Sequence, residues 1–195
     1  AGDKFRANER EMDEKLFSKK YDEYRDDIIN DPTSPSVGPD DADVVIVEFF
    51  DYNCGYCKQA FFDVQAILKD DKNVKVIFKE LPILSSGSKT AAQWALASHK
   101  QGKYWEYHSK IMKSPSKDER TLEKLAKDIG LDIKKLKKDA DSTEIQEAIE
   151  NNLELTRQLG IRGTPAFIIN DSLARGYIGL EGMKSQIKQI RAEEG

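Results

Sequence analysis

Cysteine is nearly absent from this chain: two residues among 195, Cys54 and Cys57. That excludes a scaffold in which several disulfides substitute for a core. It also argues against a zinc module, which wants four ligands, since the only two histidines, His99 and His108, lie outside zinc-finger spacing. No apolar run approaches the ~18 residues that span a membrane. Neither sign of charge dominates: 35 acidic against 31 basic residues give a net −4, with no stripe for nucleic acid or anionic lipid. With one close cysteine pair and no other thiol, nothing else can be trapped by stray oxidation, which suits an oxidising space. The chain opens at Ala1 without an initiating Met or a signal-peptide pattern, so it reads as a processed or recombinant mature form.

What is present centres on residues 44–61, VVIVEFFDYNCGYCKQAF. Val44 to Phe50 is β-branched and aromatic, too short for a helix by its pattern, and reads as a buried central strand. A helix starting at about Cys54 follows. This places Cys54 at an exposed helix N-terminus, where unpaired N–H groups and the dipole stabilise a thiolate. A cysteine pKa of ~8.5 falls to roughly 3.5 to 7.5 in such settings. Cys57, three residues on, shares that face. A disulfide between them closes too small a loop to stabilise the fold, so the pair is there to react. A thiol-based copper or zinc carrier is the rival from another class; two sulfurs suffice there only for Cu(I) or for ligands shared between chains.

Around this centre, residues 1–30 read as one amphipathic helix in which Phe17, Tyr21, Tyr24 and Ile28 step by four, three and four, the spacing of a coiled-coil seam. Such a polar helix has little to bury alone, which points to an oligomerisation arm; a helix folded back on the domain is the alternative. Asn30 to Asp41 holds three prolines and a glycine and reads as a hinge. The first unit continues with a helix from Cys54 to Leu68 and a strand at Val74 to Phe78, enough chain for a parallel crossover. Residues 85 to about 160 are helical throughout, the last helix capped by Asp141 or Ser142 and ended by Gly160. His99 and His108 fall in this lobe as surface or boundary residues, and Glu80 reads as a surface charge. Strands at Pro165 to Ile169 and Ala174 to Ile178, turning at Asn170-Asp171, are expected to pair antiparallel before a closing helix at Leu180 to Ile190. The boundaries are an arm and linker at 1–36, a first part at 37–84, a helical insertion at 85–159 and a second part at 160–195. Glu48 is either an edge-strand surface carboxylate or a buried acid; its neighbours Val47 and Phe49 favour burial.

EFFDYNCGYC, the helical insertion and GTPAFII together resemble the DsbA-like thiol-disulfide oxidoreductases of the thioredoxin superfamily. The resemblance implies an α/β thioredoxin fold with an inserted helical domain, Cys54 as attacking and Cys57 as resolving cysteine, and Glu48 as proton acceptor for Cys57. It implies that the Thr164-Pro165 bond is cis and faces the disulfide, with Gly55, Tyr56, Thr164 and Pro165 contacting substrate. No metal or cofactor is implied. Strongly oxidising members carry a His where this chain has Tyr56, and Thr164 is similar to the choice in disulfide isomerases. The N-terminal extension resembles that of ScsC-like proteins, in which an arm assembles trimers with isomerase activity. The expectation is therefore an exported or periplasmic disulfide isomerase acting on misfolded, disulfide-containing proteins, a homo-oligomer with a trimer favoured. A DsbA-type dithiol oxidase kept oxidised by a membrane redox partner is the alternative.

Overall fold

In the computed structural model, which describes residues 1–195, two helices, α1 (Gly2–Glu23) and α2 (Arg25–Ile29), lead to a two-residue strand β1 (Ser36–Val37). The strand β2 (Val44–Phe50), the helix α3 (Gly55–Asp70) and the strand β3 (Val74–Glu80) then form the parallel crossover. Five helices follow without a strand: α4 (Ser86–His99), α5 (Tyr104–Lys113), α6 (Glu119–Asp128), α7 (Ile133–Ala140) and α8 (Thr143–Leu159). The hairpin β4 (Ala166–Ile169) and β5 (Ser172–Arg175) and the helix α9 (Gly179–Glu194) close the chain. The sheet order is β1-β3-β2-β4-β5, with β2 parallel to β3 and antiparallel to β4.

Because β2 is central, both of its faces are buried, which is why its sequence runs apolar without alternation. Val44, Ile46 and Phe50 pack in one cluster with residues of α3, α5 and α9. Val47 and Phe49 face the other way, into a cluster with Phe17, Ile28, Ile77, Leu155, Leu159 and Ile168. The insertion therefore covers both layers: α5 lies on one face of the sheet and α8 on the other. The α8 boundaries follow local chemistry: Ser142 Oγ accepts the Ile145 N–H, and Gly160 takes the left-handed φ of 69° that ends the helix. This is a thioredoxin fold with an inserted helical domain and an N-terminal helix.

Three local readings change. The N-terminal helix is not continuous: it breaks at Tyr24 (φ −104°, ψ 16°), so that α2 turns against the domain. The hinge is pinned: Ser36 and Val37 pair with β3, the Phe78 N–H donates to Pro35 O, and the buried Lys79 ammonium donates to Asp27 O (2.7 Å) and Ser34 Oγ (2.8 Å). Gly38 is obligatory in that turn, with φ +107° and the carbonyl oxygen of Val74 only 2.3 Å from where a Cβ would sit. The last strand lies at Ser172–Arg175 rather than 174–178, because it is a half-exposed edge whose residues carry little apolar signal.

The seam Phe17, Tyr21, Tyr24 and Ile28 finds its partner inside the chain. Phe17 and Ile28 are buried in the second cluster, Tyr21 and Tyr24 pack on its border, and the Tyr24 hydroxyl donates to Gln158 Oε1 at 3.1 Å. The arm therefore folds back, as the alternative reading had it, over its second half from Phe17 onward. Its outer part instead leaves Phe5, Met12 and Leu16 59–65% exposed.

Candidate active site

The turn after β2 is built by Asp51. Its carbonyl accepts the Cys54 N–H at 3.1 Å, while its buried carboxylate accepts Asn53 N–H (2.8 Å), the Ser88 hydroxyl (2.7 Å) and the N–H groups of Ile83 and Leu84 (2.9 Å each). Asp51 thus ties the approach to Cys54 to the loop before α4. Sequence reasoning passed over it, although an Asp two residues before an amide it can bond is a recognisable turn signal.

Cys54 is the N-cap of α3, and its Sγ accepts the Cys57 N–H at 3.2 Å. It is only 7% exposed, and in the thiol form it donates to Thr164 O at 3.5 Å. Its pKa is pulled down to about 6, chiefly by the hydrogen bond from the Cys57 thiol, with Thr164 and the Cys57 backbone adding to it against burial and the Asp51 charge. Cys57 is fully buried, and its proton is held far more tightly than an ordinary thiol's. Burial is the main cause, followed by the hydrogen bond that it gives Cys54. One sulfur is therefore a thiolate at neutral pH and the other is its proton donor.

Thr164-Pro165 is cis and brings the Thr164 carbonyl over Cys54. Tyr56 is 60% exposed and stacks on Tyr177, the ring centres 5.6 Å apart at 25°. Gly55 is exposed and has open space around it. These residues and Cys54 converge at one end of the sheet; the seam residues of the arm do not join them.

Glu48 is buried, on the central strand and not an edge, and neither carboxylate oxygen has a partner. Burial, then the charges of Cys54 and Asp63, push its pKa up to about 8. Glu80 and His108, read as surface residues, are both in the interior. The hydroxyls of Tyr52 and Tyr104 donate to Glu80 Oε1 at 2.9 and 2.8 Å, and His108 Nδ1 lies 2.8 Å from the Tyr52 hydroxyl. Burial pushes the Glu80 carboxyl pKa well up against the two tyrosine hydrogen bonds, and pushes the imidazole of His108 down to about 3, so that ring is uncharged. The sequence pattern could not show this, because the covering residues come from α5, far along the chain. His99 is exposed, as read. No third His, Cys, Asp or Glu joins the two sulfurs in a metal-binding group.

The DSBA-like thioredoxin domain family matches residues 45–188. The probable disulfide bond formation protein D of Bacillus anthracis is 31% identical over 156 residues, 73% of this chain and 72% of that one. Among solved structures, the thiol-disulfide exchange protein alpha-DsbA2 of Wolbachia pipientis superposes with a TM-score of 0.85 at 30% identity, covering 91% of this chain and 97% of that one. A linker-deleted variant of Proteus mirabilis ScsC superposes at 0.83, also at 30% identity, covering 94% and 86%. No helix of this protein is long and apolar enough to cross a membrane. A low-pKa cysteine capping a helix, a buried partner thiol and a cis-proline loop across from them are the equipment of thiol-disulfide exchange, and the chain belongs to the DSBA-like thioredoxin domain family of oxidoreductases.

Proposed function

We propose that this protein is a disulfide isomerase for misfolded, disulfide-containing proteins in the periplasm or another exported setting. The observation that carries this reading is the asymmetry of the two thiols. The Cys54 thiolate attacks a substrate disulfide, forming a bond to one substrate sulfur and expelling the other as a thiolate. Cys57 must lose a strongly held proton before it can resolve that mixed disulfide. The delay leaves time for a substrate thiol to attack instead, which is isomerisation. A Cys54 pKa of about 6 adds support. Strong oxidants of this chemistry reach down to about 3.5, whereas reductants sit near 7.

Glu48 fits the role of base for Cys57. Its ionisation is opposed in part by the Cys54 charge. Capping Cys54 with a substrate sulfur removes that charge, so Glu48 becomes easier to ionise at the moment Cys57 needs an acceptor. Gly55, Tyr56 and the backbone of Thr164-Pro165 provide an open surface on which an extended substrate segment lies.

A homo-oligomer, a trimer before a dimer, completes the reading. The seam is α1's outer stripe of Phe5, Met12 and Leu16, because Phe17, Tyr21, Tyr24 and Ile28 are engaged with their own domain. Linked sites raise the effective concentration for a second contact on one misfolded chain. Reactivation of a scrambled multi-disulfide protein by the full chain tests the function. Recovery of native protein supports an isomerase. Fast oxidation of a reduced substrate without unscrambling makes it a dithiol oxidase that a membrane redox partner would have to reoxidise.

A further inference from the structure

Glu48 cannot reach bulk water: it is 1% exposed, and both of its oxygens are buried without partners. A base that takes the Cys57 proton in each turnover needs a group at the protein boundary through which to release it. The groups that act on Glu48 or feel its charge are Cys54, Cys57 and Asp63 from α3, Glu80 from β3 and Tyr104 from α5, and none is a cation. Glu80 and Tyr104 are themselves fully enclosed. Asp63 alone among them spans the boundary. It is half-buried, and its Oδ2 is an enclosed oxygen with no partner. At the surface, its carboxyl meets the hydroxyl of the partly exposed Tyr177, which favours the charged form against burial.

The helix explains the grouping. Tyr56 and Asp63 are two turns apart on the same flank of α3. Tyr177 lies along that flank, its ring stacked on Tyr56 and its hydroxyl at Asp63. Buried carboxyl oxygens without partners are rare enough to need a reason; Glu48 and Asp63 supply three of the four here, Glu80 Oε2 being the other, and the Asp63 charge acts on Glu48.

We infer that Asp63 is the outlet for the Glu48 proton, a positioning residue for the resolving step that acts through Glu48 and is steadied by Tyr177. The inference rests on Glu48 being the base for Cys57. In the resolving step the Cys57 S–H proton moves to Glu48, and the Cys57 thiolate attacks the Cys54 sulfur of the mixed disulfide. The Cys54–Cys57 bond forms as the bond to the substrate sulfur breaks, and the substrate leaves as a thiolate. The two cysteines are oxidised by two electrons, the substrate disulfide is reduced by two, and the proton passes from Glu48 through Asp63 to water.

The test uses the full chain carrying a Cys54 mixed disulfide with glutathione, and follows glutathione release by quenched-flow mass spectrometry across pH. Asp63→Asn should slow release on the order of 10-fold near neutral pH, less than the ~100-fold or more lost with a directly acting base. Rising imidazole should restore the rate, and Asp63→Glu should retain it. These readouts would not move if Asp63 merely held the fold. Glu48→Gln is the control. If it slows release while Asp63→Asn releases glutathione like the parent protein, the outlet is refuted and Glu48 stands as base. If Glu48→Gln itself leaves rate and profile unchanged, the base and the outlet are both refuted.

Discussion

Glu48 and Glu80 are buried carboxyls on adjacent strands of one sheet, and the protein treats them differently. Glu80 Oε1 receives two tyrosine hydroxyls, and the Glu80 backbone carbonyl accepts the Asn152 amide at 3.0 Å, so three helical-lobe or loop residues hold it in place. Neither oxygen of the Glu48 carboxyl has a partner, whereas in Glu80 only Oε2 lacks one. A carboxyl enclosed and bonded ties the inserted helices to the sheet. One enclosed without partners is free to take and release a proton, at a cost to stability. The difference teaches that burial alone does not set the carboxyl proposed as the base apart from a structural one; burial with neither oxygen partnered, where the Cys54 charge reaches it, does.

The sharpest way to break this contrast is to remove the two groups in turn. Glu80→Ala should lower stability by about 3 kcal/mol, since two buried hydroxyls lose their acceptor and a cavity opens. Urea unfolding followed by circular dichroism measures it. Glu48→Leu should do the reverse. It should leave stability equal or raise it by about 1 kcal/mol while slowing the resolving step, the trade expected where a destabilised group serves activity. A Glu48→Leu variant that unfolds as easily as Glu80→Ala would erase the distinction.

The same contrast has a pH signature. The Glu48 pKa rises from an ordinary 4.5 to about 8 on folding, so the folded state binds its proton more tightly. Its contribution to stability is therefore complete below about 4.5 and is lost as pH rises through about 8. Glu48→Gln should flatten the fall in urea midpoint over that interval. An unchanged slope would mean that other groups set it. Tyr104→Phe gives the smallest effect, about 1 kcal/mol, because Glu80 keeps the Tyr52 hydroxyl. No measurable loss would show that the second hydroxyl is redundant.

The parts legible in the sequence were those fixed by neighbours along the chain. The strand before Cys54, the helix that it caps, the Ser142 cap and the Asn170 turn all follow from a few adjacent residues. Glu80 and His108 were not legible, because what buries them is α5 folding onto β3 from far along the sequence. The arm shows the limit of periodicity from another side. Phe17, Tyr21, Tyr24 and Ile28 have coiled-coil spacing, yet one face of the sheet and α8 accept the same stripe. Lys79 fixes the proline-rich segment from a distance that local composition cannot report.

The central claim is that Cys54 is the thiolate and Cys57 its guarded proton donor. Iodoacetamide labelling of the reduced full chain, resolved by site with mass spectrometry from pH 4 to 10, tests it most directly. The account predicts label on Cys54 alone, its rate rising with pH around a midpoint of about 6, because only the thiolate reacts. Label on Cys57, or a Cys54 midpoint at the ordinary thiol value of about 8.5, would contradict it.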